Sequence, residues 1–484
     1  MNRQIRRLFI VILAMFAMLG LAVTNNQFLQ TPSLNADSRN ERTILHAAET
    51  DRGPIIVGES AVASSTKLEG STRFQRSYSQ GPLYASVTGY FSAAFSQATG
   101  LEAAAESVLD GQSDALLAQR LRNLFTGANR QGGGIVLTLD STLQQIAAEQ
   151  LGDRKGAVVV LNAKTGAILA LYSSPSYDPN ALTAFDSAAV NDAYEALAVD
   201  PSDPLSNRAI AGNRYAPGST FKILTTIALL ENGVATATTN LESPVSTVLP
   251  GTQTTVSNID SATCGDGNPT LEEAFARSCN TTFLIASQNL THDQLSGVAK
   301  RFGFGTASAI PLSVTPSTFP DQTDPAQLAM TSIGQFSVQA TPLQMAQIAQ
   351  AIGNDGTMMT PYLIDRIVDA DLQVQSETTP KALSTPVSAD VANQVTEMMK
   401  SVVSAPYGSG TSMALDGVSV AAKTGTAETG VDGFANAWAV GFAPADDPQI
   451  AFAVIVEGDE SDPAPHGGIV AGPIARALLE AGVK

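Results

Sequence analysis

The sequence predicts an α+β domain whose two ends share one sheet, preceded by a smaller domain and a single N-terminal apolar helix. Three observations carry this. Strand-like runs at Gly156–Asn162 and Ala167–Tyr172 return at Val418–Thr424, Ala437–Phe442 and Ile450–Val456, with helical segments dominating Asn207–Ala299 between them. Gln131-Gly-Gly-Gly134 reads as a joint between two domains. One apolar run, Leu8–Val23, follows Arg3, Arg6 and Arg7. Composition agrees: 484 residues exceed one ordinary core, and 44% hydrophobic content excludes wholesale disorder. A net charge of −18, from 27 basic and 45 acidic residues, repels phosphate backbones, so no nucleic-acid partner is expected. With Cys 2 and His 3, none in an HExxH or HxH pattern, neither a metal nor another cofactor is expected.

Taken in order, Leu8–Val23 spans roughly 24 Å as a helix against a bilayer core of roughly 30 Å, a shortfall that flanking residues and local thinning make up. The Val-Thr-Asn-Asn-Gln that follows is a poor cleavage site, so an uncleaved anchor over residues 8–24 is expected, with a cleaved signal peptide as the alternative. Either way residues 1–7 stay cytoplasmic and the chain from 25 onward is exported. Residues 24–45 read as a polar tether. The span 25–134 is then tether plus a small pedestal domain, with one helical stretch at Leu101–Leu109, and 135–484 is the main domain. Within it, Ile135–Asp140 alternates like a strand and Ser141–Leu151 reads as a capped helix. A hairpin follows with Lys164-Thr165-Gly166 at its tip, and Pro473–Leu479 closes the chain as a helix.

The sharpest feature is Tyr215-Ala-Pro-Gly-Ser219-Thr220-Phe221-Lys222, running into Ile-Leu-Thr-Thr-Ile-Ala-Leu-Leu and stopped by Asn232-Gly233. The flanks place Ser219 on the first turn of a helix that is apolar on nearly all sides and therefore buried. Ser219 and Lys222, three apart, share a face. The positive end of the helix dipole and burial both favour a neutral lysine, which can take a proton from a neighbouring hydroxyl. A serine is activated this way without histidine. Ser64-Ser-Thr-Lys67 matches the same Ser-x-x-Lys spacing but lacks the Pro-Gly turn and the apolar helix, so it reads as solvated loop. Of the Ser-x-Asn matches at Ser33, Ser38, Ser278 and Ser287, only Ser278-Cys279-Asn280 is backed by two threonines and Phe283. Lys423-Thr424-Gly425-Thr426 follows a β-rich run, whereas Lys164-Thr165-Gly166 is explained by turn chemistry.

The ordered set resembles the penicillin-binding, serine D,D-transpeptidase family. Ala163–Ala170, Pro175–Asn180, Asn207-Arg-Ala209 and Ser332-Ile-Gly-Gln335 look like further landmarks, so the resemblance covers residues 135–484. Upstream, Arg52-Gly-Pro-Ile55 and Gly100-Leu-Glu102 resemble the pedestal of the monofunctional class B type, most of all its short, single-anchor actinobacterial form. Ile56-Val-Gly-Glu-Ser60 departs from the Asp-Arg-Asn-Gly usual there. The resemblance implies a transpeptidase domain of serine β-lactamase-like fold, with a mainly antiparallel sheet flanked by helices. It implies Ser219 as nucleophile, Lys222 as base and Ser278 as proton relay. Asn280 would hold the peptide amide, and Lys423, Thr424, Gly425 and Thr426 would hold the terminal carboxylate. The backbone N–H groups of Ser219 and Thr426 would form the oxyanion hole. Implied partners are peptidoglycan stem peptides, β-lactams and a membrane glycosyltransferase. A β-lactamase or β-lactam sensor, and a non-catalytic cell-wall scaffold, are the competing readings; a bifunctional relative is rejected because no Glu-Asp-x-x-Phe-x-x-His motif is present.

Other residues take plainer readings. Trp438 is expected in sheet packing, His466 in a loop, and Asp446-Asp447 and Glu457–Asp462 on solvated turns. The only two cysteines, Cys264 and Cys279, lie in the exported part and are expected as a disulfide, the alternative being two buried thiols. If Ser278 and Asn280 face the cleft, Cys279 between them points away from it.

Overall fold

The computed structural model describes residues 3–25, 48–95, 97–117, 131–212, 214–308, 310–431 and 433–483. Apart from Thr24 and Asn25, the polar stretch read as a tether lies outside the described residues, as do Ser33 and Ser38. Helix α1 (Arg3–Thr24) has 22 residues, a mean hydropathy of 2.3 and none of them buried. It takes in the arginines ahead of Leu8, and at ~1.5 Å per residue it reaches roughly 33 Å, enough to cross a bilayer core.

Two sheets organise the rest. Strands β1 (Ile55–Val57), β2 (Ser60–Lys67), β3 (Phe74–Tyr78) and β4 (Gly134–Leu137) belong to the first. β5 (Gly156–Asn162) and β6 (Ile168–Ser174) belong to the second. β7 (Ile364–Val368) and β8 (Val374–Glu377) return to the first, which runs β8-β7-β4-β1-β2-β3. β9 (Ala421–Glu428), β10 (Ala435–Ala443) and β11 (Ile450–Glu457) complete the second, ordered β9-β10-β11-β5-β6 and antiparallel throughout. The two ends of the main domain thus share one sheet, as its strand pattern predicts.

Helices α2 (Ser141–Leu151), α3 (Lys222–Glu231), α4 (Leu271–Arg277), α5 (Asn280–Ala286), α6 (Pro342–Gly353), α7 (Ala389–Ser404) and α8 (Gly472–Gly482) matter for the site. α2 starts where the sequence predicts, because the Asp140 carboxylate accepts from the Thr142 and Leu143 N–H groups. The strands of the second sheet are buried on both faces, which is why β5 and β11 read as nearly continuous apolar runs. Alternation shows how. Phe442 lies over Gly353 of α6, while Ile450, adjacent to its cross-strand neighbour Ala451 and so on the other face, packs on Gly482 of α8 and on Leu143 of α2. Every residue of α6 is buried.

Three local expectations change. The helical span 207–299 is interrupted by a small hairpin, Ser246–Val248 against Thr255–Ser257. Ser64-Ser-Thr-Lys67 is the second half of β2, not a loop: Ser64 pairs with Ser77 and Lys67 with Phe74. On a strand, residues three apart face opposite ways, so Ser64 and Lys67 cannot serve one site. Lys423–Thr426 lies inside β9, not after a strand. The other KTG sequence is the expected turn, with Asn162 Oδ1 accepting from the Lys164 and Thr165 N–H groups.

The pedestal is organised around a buried carboxylate. Glu102 accepts from Arg52 Nε (3.1 Å) and Nη2 (3.0 Å), from Arg76 Nε (2.6 Å) and from the Tyr78 hydroxyl (3.0 Å). Arg76 also donates to the Arg52 and Gly53 carbonyls, so both landmarks of the pedestal meet here. A Cβ on Gly132 would collide with the Leu109 carbonyl, which explains the run of glycines at the joint. Asn180 then ties the pedestal to the main domain by bonding both the N–H and the carbonyl of Tyr78, each at 2.9 Å.

Removing the Glu102 charge leaves two buried guanidiniums short of a partner, so Glu102→Gln is expected to cost about 3–5 kcal/mol in urea unfolding of the full-length protein in detergent. Burial alone raises the Glu102 carboxyl, but Arg76 and Arg52 outweigh it and hold it below the usual 4.5. Its contribution is therefore complete above that usual value and is lost as pH falls through the lowered one. Unchanged stability in the variant would contradict this account.

Candidate active site

The chain enters the site through Tyr215–Gly218. A 3₁₀ turn, Gly218–Phe221, precedes α3, so Ser219 sits on that turn, not on the first α-turn, and Lys222 is the first α-helical residue. In 3₁₀ geometry side chains three apart eclipse, which still brings Ser219 over Lys222. The turn is held tightly. The Gly218 N–H donates to the Gly334 carbonyl at 3.0 Å, and a Cβ on Gly334 would strike the Gly218 carbonyl. Trp438 Nε1 donates to the Ala216 carbonyl at 3.1 Å, so this fully buried indole fixes the approach to Ser219 as well as filling the sheet.

Ser278 caps α4 in the left-handed region, at φ 63° and ψ 38°, and Cys279 opens α5. That conformation costs a non-glycine residue about 1–3 kcal/mol and turns the Ser278 side chain inward between the two helices. Cys279 points away, into a small cluster with Ala274 and Cys264. It is bonded to Cys264 across a Cα–Cα separation of 6.0 Å, inside the range a disulfide spans.

Two lysines converge on Ser278. Lys423 Nζ donates to Ser278 Oγ at 2.7 Å and to the Thr424 carbonyl at 3.0 Å. Lys222 Nζ donates to the Ser278 carbonyl and to Asn280 Oδ1, both at 2.8 Å, and lies 3.5 Å from Ser278 Oγ. Both lysines are fully buried, beside the rings of Phe275 and Phe283. Burial, and then the charge of Lys423, holds Lys222 well below the usual lysine value. Burial pushes Lys423 down to about 7. A neutral Lys222 has two N–H donors, and two acceptors take them; its lone pair is left for a hydroxyl. Neither donor is directed at Ser219, which is itself buried, at 7% exposure.

Asn280 is oriented by its surroundings: Nδ2 donates to the Ser257 carbonyl at 3.2 Å, leaving one amide hydrogen for another partner. β9 is the edge strand of its sheet, and a Cβ on Gly425 would lie 3.1 Å from both the Pro217 carbonyl and the Thr220 methyl. The strand and the Ser219 turn are therefore in contact, with no side chain between them. Thr424 shares its hydroxyl with Ser409 at 2.6 Å, and Thr426 Oγ1 accepts from the Gly467 N–H at 3.4 Å.

Sequence reasoning missed Ser409, from a loop, and Gly467, which opens a short π-helical turn over Gly467–Ala471; neither carries a motif. It also misread Glu457. That carboxylate accepts from Arg208 Nε at 3.0 Å and from the Tyr215 hydroxyl at 2.7 Å, bracing the segment ahead of Ser219 instead of lying on a solvated turn. Arg208 and Tyr215 were in view as landmarks; the signal was a buried arginine needing an acid. Among the described residues no three His, Cys, Asp or Glu side chains group as metal ligands.

Comparison with known proteins identifies the family. Residues 156–480 match the penicillin binding protein transpeptidase domain, and residues 52–135 match the penicillin binding protein A dimerisation domain. The chain is 41% identical to the peptidoglycan D,D-transpeptidase PbpA of Mycolicibacterium smegmatis, over 100% of this chain and 99% of that one. It is 39% identical to PbpA of Mycobacterium tuberculosis over the same shares. Among solved structures, the ceftriaxone acyl-enzyme complex of penicillin-binding protein A from M. tuberculosis superposes with a TM-score of 0.86 at 39% identity, covering 91% of this chain and 100% of that one. The penicillin G acyl-enzyme complex of the same protein gives 0.83 at 40% identity, covering 90% and 100%. With the transpeptidase model spanning most of the chain and full-length relatives at this identity, the chain belongs to the penicillin-binding protein D,D-transpeptidase family.

Proposed function

We propose that the chain is a peptidoglycan D,D-transpeptidase acting through an acyl-ester on Ser219, and that β-lactams acylate the same serine. The observation that carries this is the convergence of two buried, proton-poor lysines on Ser278 beside the Ser219 turn. Lys222 takes the Ser219 proton as the hydroxyl oxygen attacks the penultimate D-Ala carbonyl of a stem peptide. The C–O bond forms, the amide C–N bond breaks, and Ser278 passes the proton on to the departing D-Ala amine. An acceptor amine on a second stem peptide then displaces Ser219. Lys423, with the hydroxyls of Thr424 and Thr426, holds the terminal carboxylate by charge-assisted contacts, and Gly425 keeps that edge open. Asn280 holds the peptide amide through its remaining amide hydrogen. The N–H groups of Ser219 and Thr426 stabilise the tetrahedral oxyanion, each such donor typically contributing about 3 kcal/mol.

Helix α1 supports a membrane location. An apolar helix of 22 residues with a basic flank supports a single-pass anchor with residues 1–7 in the cytoplasm and the catalytic domain outside. A membrane glycosyltransferase that polymerises the glycan strands is the expected partner, because the cross-linker must meet strands as they emerge.

Benzylpenicillin is expected to add one penicilloyl mass to the full-length protein, read by intact-mass measurement. Ser219→Ala should abolish the adduct and Lys222→Ala should slow it by orders of magnitude, whereas Lys67→Ala, on β2, should stay within a few-fold. An adduct that persists without Ser219 would overturn the assignment; rapid loss of the adduct would instead favour a hydrolase.

The pH profile has a definite sign. Acylation needs Lys222 neutral, so it falls on the acid side as pH drops through that lysine's lowered value. Carboxylate binding needs Lys423 charged, so the second-order acylation rate falls again as pH rises through about 7 in the free enzyme. Lys423→Arg should move the alkaline limb upward, since a guanidinium stays charged. A rate constant that is flat across both limbs would contradict these roles.

The mature protein should keep its N-terminal residues and remain in the membrane fraction after salt washing. A mature chain beginning near residue 25 would refute the anchor.

A further inference from the structure

Helix α5 begins without a cap of its own. Cys279, the residue before it, makes no side-chain hydrogen bond to the first N–H groups, since its sulfur is committed to Cys264. The missing acceptor comes from 23 residues earlier in the chain, where Asn258 Oδ1 accepts from the Thr281 N–H at 3.0 Å. Resting on the transpeptidase reading, we infer that Asn258 is a positioning residue for Asn280. It holds the Ser257 carbonyl in place, and that carbonyl aims the Asn280 amide at the substrate.

The Asn258 carboxamide is fully used. Nδ2 donates to the Pro244 carbonyl at 3.0 Å and to the Ala262 carbonyl at 3.2 Å, while the Thr281 hydroxyl lies 3.1 Å from Oδ1. Its backbone N–H donates to the Val245 carbonyl, also at 3.0 Å. Binding one N–H and two carbonyls takes an acceptor and two donors on one short side chain, which a primary amide supplies and a carboxylate does not. Asn258 is 8% exposed, so water does not readily replace a lost partner.

Asn258 directly follows Ser257, the last residue of the small hairpin. Two bonds therefore run side by side between consecutive residues: Ser257 with Asn280 at 3.2 Å, and Asn258 with Thr281 at 3.0 Å. The first takes one hydrogen of Asn280 Nδ2, and Lys222 donates to Oδ1. Those two contacts set the amide plane and give the second hydrogen a single direction. Packing cannot do the same work, because both hairpin strands are exposed or half-buried, with Val248 at 53%. The disulfide anchors Cys264, beyond the Ile259–Ser261 turn, and leaves Ser257 to Asn258.

The test compares second-order acylation of the full-length protein in detergent by two penams. Benzylpenicillin carries the side-chain amide that Asn280 holds; 6-aminopenicillanic acid has a bare amine there. Asn258→Ala should slow benzylpenicillin about ten-fold, as one misaligned hydrogen bond does, and 6-aminopenicillanic acid by no more than about two-fold. Added to Asn280→Ala, the same substitution should slow benzylpenicillin no further, since its effect passes through Asn280. Thr281→Val keeps the side-chain shape and removes only the hydroxyl beside Oδ1. It should move the ratio the same way by a smaller factor, and it reads the ratio even where Asn258→Ala fails to fold. Equal losses for both penams would mean a purely structural role and would overturn the inference. An unchanged ratio, or independent losses in the double variant, would overturn it too, leaving the Ser219 chemistry standing. Failure of the parent protein to form an adduct with either penam would sink the transpeptidase reading and this inference together.

Discussion

One hydroxyl shared by two buried lysines is the constraint around which the domain is arranged. Lys222 and Lys423 both reach Ser278, and neither has a carboxylate beside it. Burying two ammonium groups without a counter-ion is costly enough that the site sheds protons instead. The same cost is what makes the site useful: an amine that has given up its proton is a base, and a lysine poised near neutrality can gain charge when a carboxylate arrives. Each element that meets at Ser278 keeps water out or presents an acceptor. Phe275 and Phe283 wall the lysines, and the Ser278 and Thr424 carbonyls take their N–H bonds.

Holding that convergence requires three independent segments to stop at one point. The break between α4 and α5 turns on a serine in a left-handed conformation, and the disulfide to Cys264 anchors the residue next to it. The 3₁₀ turn carrying Ser219 is pressed between Gly334 and β9. β9 is an edge strand, so one row of its backbone groups faces the cleft, where an extended substrate can add as a further strand. Behind these, Glu457 couples Arg208 and Tyr215 so that the approach to Ser219 is braced from the far edge of β11.

The pedestal sheet is not built from the N-terminal residues alone. β7 and β8, more than two hundred residues beyond β4, complete it, and the parallel pair β1–β4 is itself long-range. The two lobes therefore share chain as well as surface, and Asn180 bonding to the Tyr78 backbone adds a direct tie. The buried Arg52–Glu102–Arg76 cluster lies beside this sheet, with Arg76 on its edge strand β3, and Arg52 is also paired with Glu106.

What the sequence determined by itself was local or strongly patterned. The apolar runs of β5, β10 and β11 read as strands of one sheet shared by the two ends of the domain, and Asp140 fixed the start of α2. Pro-Gly before Ser219 and the apolar helix behind it set this Ser-x-x-Lys apart from the copy at Ser64, and the order of three motifs gave the family. Tertiary structure decided the rest, because the deciding partners are far away in sequence. Ser64 and Lys67 became a strand through pairing with β3, Glu457 was claimed by Arg208 across 249 residues, and Thr424 met Ser409 from a loop without a motif. The tighter 3₁₀ winding at Ser219 likewise comes from contact with Gly334 and β9, which no local propensity encodes. Burial of both lysines around Ser278 could be expected only once three distant segments were known to meet, since a lysine's proton affinity depends on its surroundings and not on its neighbours in sequence.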